Sequence, residues 1–354
     1  MKRTDLMHAL KVVQPALGDN DLVQVFTHFM FTPLTIEASS DALAITHRVD
    51  GLDIEAPFAL HGKTLLGLLD NSNADDVSLA LGKTHDCIVK AGRSQFKLPF
   101  LTEQDFIFEV PTSSKGHGCT QITVNESFIK GITSCLITAS RDEATAAIRG
   151  VTVKLDDDAL VLYSCDGDAI TRYFPETDVN DVFGEWLFPL SFCETLVRTY
   201  EALNCKEGHL EISKDWISVA LDDTTGIYGR YSENSEGLNH EEKINETMSM
   251  DTSFVGVPDD FEGALQRASV LARRESKPTI LKVTKGKLNV HTESSMGVAD
   301  DDMPIKGHGD VKAAVNAELV LRALSLGDEI AILENCTVYK SGDTLLQVLA
   351  NMGE

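Results

Sequence analysis

The sequence predicts an α+β protein made of three copies of one unit, each with two helices packed on antiparallel sheet. Three observations predict it. Short runs of alternating apolar residues, bounded by turn residues, recur along the chain as the strands of hairpins do. Stretches with apolar residues at helical spacing separate them. Anchor residues also keep phase: Leu43, Leu160 and Leu288 sit at the same place in three hairpins, 117 and 128 residues apart, while Ile88, Ile217 and Val338 lie 129 and 121 apart. A period of about 120 residues kept over the whole chain marks copies of one unit, because chance would not preserve the order helix, hairpins, helix, hairpin.

The first helix is expected over Thr4 to Leu17, with Leu6, Ala9, Leu10 and Val13 on one face and His8 and Lys11 on another. Extended runs follow (VQVFTHFMF, LTIEAS, DALAITHRV, LDIEAPF), then a helix at His61 to Leu69 and the strands DVSLAL and DCIVKAG. RSQFKLPFLTEQDF closes this block. The second block restarts with a helix at Glu126 to Ala139, where Phe128, Gly131, Ile132 and Cys135 take the places of the first anchors. Ile148 to Pro175 then reads as a half-buried hairpin: Val151, Val153 and Leu155 alternate with polar residues, Asp156 to Asp158 turn, Leu160 and Leu162 resume, and Cys165-Asp166-Gly167 turns again. A helix at Ser191 to Leu203 and the strands HLEISKDWISVAL and GIYGRYS complete the block. SENSEGLNHEEKINETMSMD reads as a polar connector without apolar periodicity. The third block begins with Phe261, Ala264, Leu265 and Ala268 on a helix, continues with the hairpin TILKVTKGKLNVHTES and a helix at Asn316 to Leu324, and ends with EIAILENCTVYKS and TLLQVLA. Boundaries are expected near residues 115 and 248, giving domains 1–115, 116–248 and 249–354. Repeating such units side by side and closing the series removes open sheet edges, and closure with a second copy would give a six-domain ring.

Bulk composition narrows the class. With 43% hydrophobic residues over 354 positions and no apolar run near 18 residues, the chain is expected to be globular, with no membrane span. MKRTDLMHAL lacks the apolar segment and cleavage site of a secretory signal, which points to the cytoplasm. Seven scattered cysteines without a CxxC pair suit reduced thiols better than disulfides or zinc. The formal net charge of −24 would repel nucleic acid if spread evenly, so any contact with DNA needs a locally basic surface.

The segments FIKGITSCLITAS, RDEA and RGVTVKLDDDALVLYSCDGDAITRYF, with AGRSQFKLPFLTEQDF before them and ALQRASVLARRES and AELVLRAL after, carry a resemblance. In this order, and over the whole length, the chain resembles the bacterial-type DNA polymerase sliding clamp, the β subunit of polymerase III. The resemblance implies three sliding-clamp domains per chain and a homodimeric ring whose helices line a hole for duplex DNA. It also implies a replicative polymerase and a clamp loader as partners, and no catalysis, cofactor or metal. The helices are near neutral to basic in an acidic chain, and their bases would face DNA: Lys2, Arg3, Lys11, Lys63, Lys130, Arg141, Arg198, Arg267, Arg273 and Arg322.

For the client-peptide pocket, the resemblance indicates Ile148, Cys165, Gly167, Asp168 and Ile170 with Thr337, Val348 and Ala350. For ring closure it sets Arg93, Phe96 and Leu98 against Val270, Leu271 and Glu293, with Asp300 nearby. Two departures bear on client choice, as in a divergent or phage-encoded member: Asp168-Ala169 stands where the family commonly has His-Arg, and the family's Pro-Asp-Tyr turn is absent from the connector. Two other classes compete. A repeat-built adaptor that never encircles DNA would have the same composition. A metal-dependent phosphoryl-transfer enzyme would draw on Asp156 to Asp158, Asp166 with Asp168, or Asp300 to Asp302, yet none has calcium-loop spacing and Asp runs in turns are commonly solvated. No HExxH, GxSxG or GxxxxGK[ST] is present.

Overall fold

A computed structural model describes residues 1–18, 23–40, 42–82, 85–102, 119–155, 159–180, 183–213, 216–233, 240–250 and 252–352. The acidic turn at 156–158 and the expected boundary at 115 lie outside the described residues. Contacts gather the chain into two compact units. The first holds Met1–Glu126, Thr177–Val182 and Ser191–Tyr231; the second holds Ser127–Glu176, Phe183–Leu190 and Ser232–Glu354.

The order of elements recurs three times. It opens with α1 (Arg3–Val13), β1 (His28–Phe31), β2 (Thr35–Ser39), β3 (Leu43–Arg48), β4 (Phe58–His61), α2 (Gly62–Asp70), β5 (Val77–Leu81), β6 (Asp86–Ala91) and β7 (Ser94–Thr102). After β8 (Thr120–Asn125) come α3 (Glu126–Leu136), β9 (Gly150–Leu155), β10 (Leu160–Cys165), β11 (Ala169–Tyr173), β12 (Gly184–Pro189), α4 (Leu190–Ala202), β13 (Glu207–Ile212), β14 (Ile217–Ala220) and β15 (Thr225–Gly229). Then β16 (Ser232–Glu233), α5 (His240–Met248) and β17 (Val255–Gly256) precede α6 (Phe261–Ala272), β18 (Thr279–Thr284), β19 (Lys287–Ser294), β20 (Gly297–Pro304) and β21 (Val311–Val315). The chain closes with α7 (Ala317–Leu324), β22 (Glu329–Ile332), β23 (Cys336–Ser341) and β24 (Leu345–Ala350).

The first unit carries one eleven-stranded sheet in the order β5-β6-β7-β4-β1-β2-β3-β15-β14-β13-β8. Its joint is β3 with β15, antiparallel, with Ile45 opposite Ile227 and His47 opposite Thr225. The second unit has a nine-stranded sheet, β16-β12-β9-β10-β11-β24-β23-β22-β17, and a four-stranded sheet, β20-β19-β18-β21. Its joint is β11 with β24, where Ile170 faces Val348. At both joints, a strand that its own repeat would leave at an edge is paired with the next repeat.

Helical periodicity explains the cores. Leu6, Ala9, Leu10 and Val13 of α1 are all buried, as are Phe128, Gly131, Ile132 and Cys135 of α3 and Phe261, Ala264, Leu265 and Ala268 of α6. The first helix stops at Val13, short of Leu17, and a 3₁₀ turn follows at Gln14–Ala16, because Pro15 has no amide to donate backwards. The second-block helix ends at Leu136, before Ala139; the buried Thr138 hydroxyl bonds Ser164 Oγ at 2.7 Å and Thr171 Oγ1 at 2.6 Å instead of continuing the helix. Within the expected strand VQVFTHFMF, Gln24–Thr27 is a 3₁₀ turn in which the Thr27 hydroxyl donates to the Gln24 carbonyl at 2.8 Å.

Two further expectations change. The hairpin of β9 and β10 is not half-buried: all six residues of β10 are buried, as are the first three of β9 after Gly150. The stretch read as a polar connector without apolar periodicity contains α5, which buries Ile244 and Thr247. One turn of buried contact is too short to register as periodicity. Among the described residues, no helix is long and apolar enough to cross a membrane.

Candidate functional site

The central strands of the nine-stranded sheet are buried on both faces: Leu160–Cys165 and Leu345–Leu349 are buried throughout, apolar but for Ser164 and Gln347. Strand alternation sorts them. Ala169, Leu349, Tyr339, Ile330 and Ile332 join the core of α6 and α7. Val161, Tyr163, Cys165, Ile170, Val338, Leu346 and Val348 form a separate cluster on the other face, flanked by Phe174, Phe254 and Leu333.

At one end of that face, the β10–β11 turn is built by side chains. Asp166 Oδ1 accepts from the amides of Asp168 at 3.0 Å and Ala169 at 2.8 Å, so this carboxylate is committed to the turn. Gly167 takes φ +102°, a conformation that side chains resist, and its amide lies 3.2 Å from Cys165 Sγ. The Ala350 amide donates to the Asp168 carbonyl at 2.6 Å, which docks the turn on the end of β24. Asp168 and Ala350 are exposed at this rim.

Of the eight residues expected to line a pocket, Cys165, Ile170 and Val348 thus meet in one apolar cluster, with Gly167, Asp168 and Ala350 at its rim. Thr337 stands on the opposite face, fully buried, its hydroxyl donating to Asn351 Oδ1 at 3.1 Å. Ile148 is half-buried at the end of the turn Glu143–Ile148 and is not part of the cluster. Sequence reasoning missed Ile244 of α5, which is 1% exposed and packs in this same cluster. The signal was the apolar runs themselves, since a sheet apolar on both faces must be covered on both.

The expected DNA-facing bases divide. Lys2, Lys11, Lys63 and Arg198 of the first unit are exposed, as are Lys130, Arg141 and Arg322 of the second. Arg3 is half-buried and donates to the Leu69 carbonyl at 3.1 Å and the Ala74 carbonyl at 3.0 Å, holding the end of α2. Arg267 forms a bidentate pair with Asp301 at 2.8 and 3.0 Å, and Arg273 pairs with Glu318. The acids of β20 are similarly engaged. Asn289 Nδ2 bridges Asp300 and Asp302, and Lys287 sits 2.7 Å from Asp302, holding its carboxyl below the usual range. Among the described residues, no three His, Cys, Asp or Glu side chains are grouped to hold a metal.

Each unit presents an open strand edge among the described residues. In the first, Ser94–Leu98 of β7 pairs with β6, while β4 reaches only Phe100 to Thr102. Phe96 and Leu98 are half-buried there and Arg93 is exposed. In the second unit β20 pairs with β19 alone. Near it Val270 is 68% exposed, Leu271 half-buried and Glu293 exposed; Met296 and Val298, missed in the sequence, are 53% and 59% exposed.

No family model matches the sequence, and no curated protein does. Solved structures do match, end to end. The β subunit of DNA polymerase III from Thermotoga maritima superposes with TM-score 0.84 at 15% identity, covering 100% of this chain and 98% of that one. A sliding clamp (DNA polymerase III subunit β) from Bartonella birtlesii bound to griselimycin gives 0.84 at 16% identity, covering 100% and 99%. The Helicobacter pylori β clamp bound to a DNA ligase peptide gives 0.82 at 14%, covering 100% and 99%. The chain therefore has the sliding-clamp fold.

Proposed function

We propose that this chain is a sliding clamp: two copies close into a ring around duplex DNA and tether a replicative polymerase and other clients through the apolar face at β10, β11 and β24. The observation that carries the reading is the end-to-end fold likeness to clamps, over 100% of this chain. In this reading each chain contributes three domains, 1–115, 116–248 and 249–354. The β7 edge of one copy meets the β20 edge of the next, with Phe96 and Leu98 against Val270 and Leu271, and Arg93 near Glu293. A short apolar seam with charged flanks suits an interface that a clamp loader opens and that recloses.

The mechanism follows from charge and topology. A chain of net charge −24 cannot hold DNA by electrostatics over its whole surface. Exposed bases such as Lys11, Lys130 and Arg198 would touch phosphates singly, each releasing counterions without fixing register. The ring stays on because it is closed, and slides because it is loosely held. No bond is made or broken, so the chain works as a non-catalytic processivity factor wherever DNA is copied. Clients would reach the clamp through a peptide, as the ligase peptide does on the Helicobacter pylori protein.

Mass in solution tests ring formation. Light scattering at two concentrations should give twice the 38.6 kDa of the chain. A monomer at both concentrations would leave the fold standing and remove the ring.

A further inference from the structure

Residues two apart on a strand share a face, so one face of β11 and its flanks reads Asp168, Ile170, Arg172, Phe174. Ile170 belongs to the apolar cluster of the proposed client face, and Phe174, Phe254 and Leu333 beside it are only half-buried, so apolar surface stays open there. Arg172 stands within this patch, opposite Tyr163 of β10 and Leu346 of β24. It is half-buried, its Nε is buried without a hydrogen-bond acceptor, and among the described residues no carboxylate pairs with it. The guanidinium lies over the ring of Phe174, 5.1 Å from its centroid.

The next cation on this face shows the contrast. Lys340, also opposite Leu346, lies 4.4 Å from the ring of Phe254 and pairs with Glu329 at 3.0 Å. A buried guanidinium nitrogen ordinarily finds an acceptor, and the planar fork of arginine is shaped for a carboxylate. The chain holds 55 acids against 31 bases, yet it brings none of the described ones to Arg172. We infer that Arg172 is a specificity-determining residue of the client face: it takes the carboxylate of an Asp or Glu beside the client's apolar anchor. This rests on the reading of that face as the client site. Charge also sets a direction along β11. Asp168, exposed at the rim, would repel the same carboxylate, and it lies four residues from Arg172, about 13 Å of strand, so the client's acid belongs at the Phe174 end and not at the turn.

A charge-assisted hydrogen bond at a half-exposed site is worth on the order of tenfold in affinity. Within the chain Arg172 gives up only its stacking on Phe174 when substituted, so its removal tests recognition more than fold. The test is fluorescence anisotropy at low salt against the full-length protein. The probes are two fluorescein-labelled, C-terminally amidated peptides, Gln-Leu-Asp-Leu-Phe and Gln-Leu-Ser-Leu-Phe-Gly-Asp, which carry the acid two residues before and after the Phe anchor, each beside its Asn counterpart. One Asp peptide should bind about tenfold tighter than its Asn counterpart. That ratio should fall to about one in Arg172→Gln and be partly kept in Arg172→Lys, while the Asn peptides bind all three proteins alike. Equal binding of Asp and Asn peptides by the unsubstituted protein, or a ratio that survives Arg172→Gln, would overturn the inference and leave the client site intact. Loss of the Asn peptides from both variants would make Arg172 a brace of the face and overturn it too. No binding of any peptide to the unsubstituted protein would overturn the client site itself, and the role of Arg172 with it.

Discussion

Helix and sheet approach each other closely in the second unit at Gly131, and replacing it with Ala sets two effects of known size against each other. A Cβ there would lie 2.6 Å from Tyr173 Cδ1 and 2.7 Å from Leu162 Cδ1. Both neighbours are buried, at 3% and 0% exposure, and cannot swing into solvent. Helix propensity alone favours Ala by about 1 kcal/mol. Overpacking a filled core costs about 1–3 kcal/mol. The clash wins, and Gly131→Ala should destabilise the second unit by up to about 2 kcal/mol. The assay is urea unfolding followed by Trp186, which lies in this unit, in a Trp216→Phe background that silences the other. The midpoint should fall with the slope unchanged. Combining Gly131→Ala with Leu162→Val should recover part of the loss, a coupling of about 0.5 kcal/mol or more. If Gly131→Ala instead stabilises by the full helix term, the helix does not approach the sheet this closely and the packing argument fails. The matching positions, Ala9 and Ala264, already carry a Cβ and are buried, so only the middle helix needs glycine at this place.

Two other outcomes are expected. His47, opposite Thr225 in the β3–β15 joint and 2.9 Å from its hydroxyl, has its pKa lowered from 6.5 by burial and by His8, against the pull of Asp222. A depressed histidine pKa means the unfolded chain binds the extra proton first, so this contribution is full above about pH 6.5 and is lost as pH falls toward the depressed value. The fall in urea midpoint between pH 7.5 and 5.5 should be smaller for His47→Gln; an equal fall would remove His47 as the cause. Reversing Lys11, Lys130 and Arg198 to Glu should leave the mass in solution unchanged and flatten the salt dependence of binding to linear duplex, by about 0.9 in log–log slope for each phosphate no longer neutralised. An unchanged slope would mean that these bases do not face DNA.

Much of the fold was legible because its signals are local and repeated. Four anchors per helix at 3.6 spacing marked α1, α3 and α6, and Leu43, Leu160 and Leu288 kept hairpin phase through all three copies. The joints were not legible, since nothing in GIYGRYS says that Ile227 will face Ile45 and not another edge. Nor was the commitment of Arg3 to the carbonyls of Leu69 and Ala74, which depends on where two distant segments meet. At the site, resemblance indicates Cys165, Ile170 and Val348, which converge, while Thr337 lies on the opposite face of its strand, where one residue of register flips the face. Helix α5 escaped because Ile244 and Met248 are its only apolar residues, too few to mark a periodic face in an acidic stretch. Its trace was on the strands beneath, in LVLYSC and LLQVLA, whose lack of alternation demands a second layer.

The central claim is that the protein holds DNA by enclosing it, and retention on closed and opened circles tests it most directly. Protein placed by a clamp loader on a nicked circular plasmid should remain through gel filtration in high salt and should leave when a restriction cut makes the plasmid linear. Equal retention on circular and linear DNA would contradict enclosure, and no retention on either would favour an adaptor that does not encircle DNA.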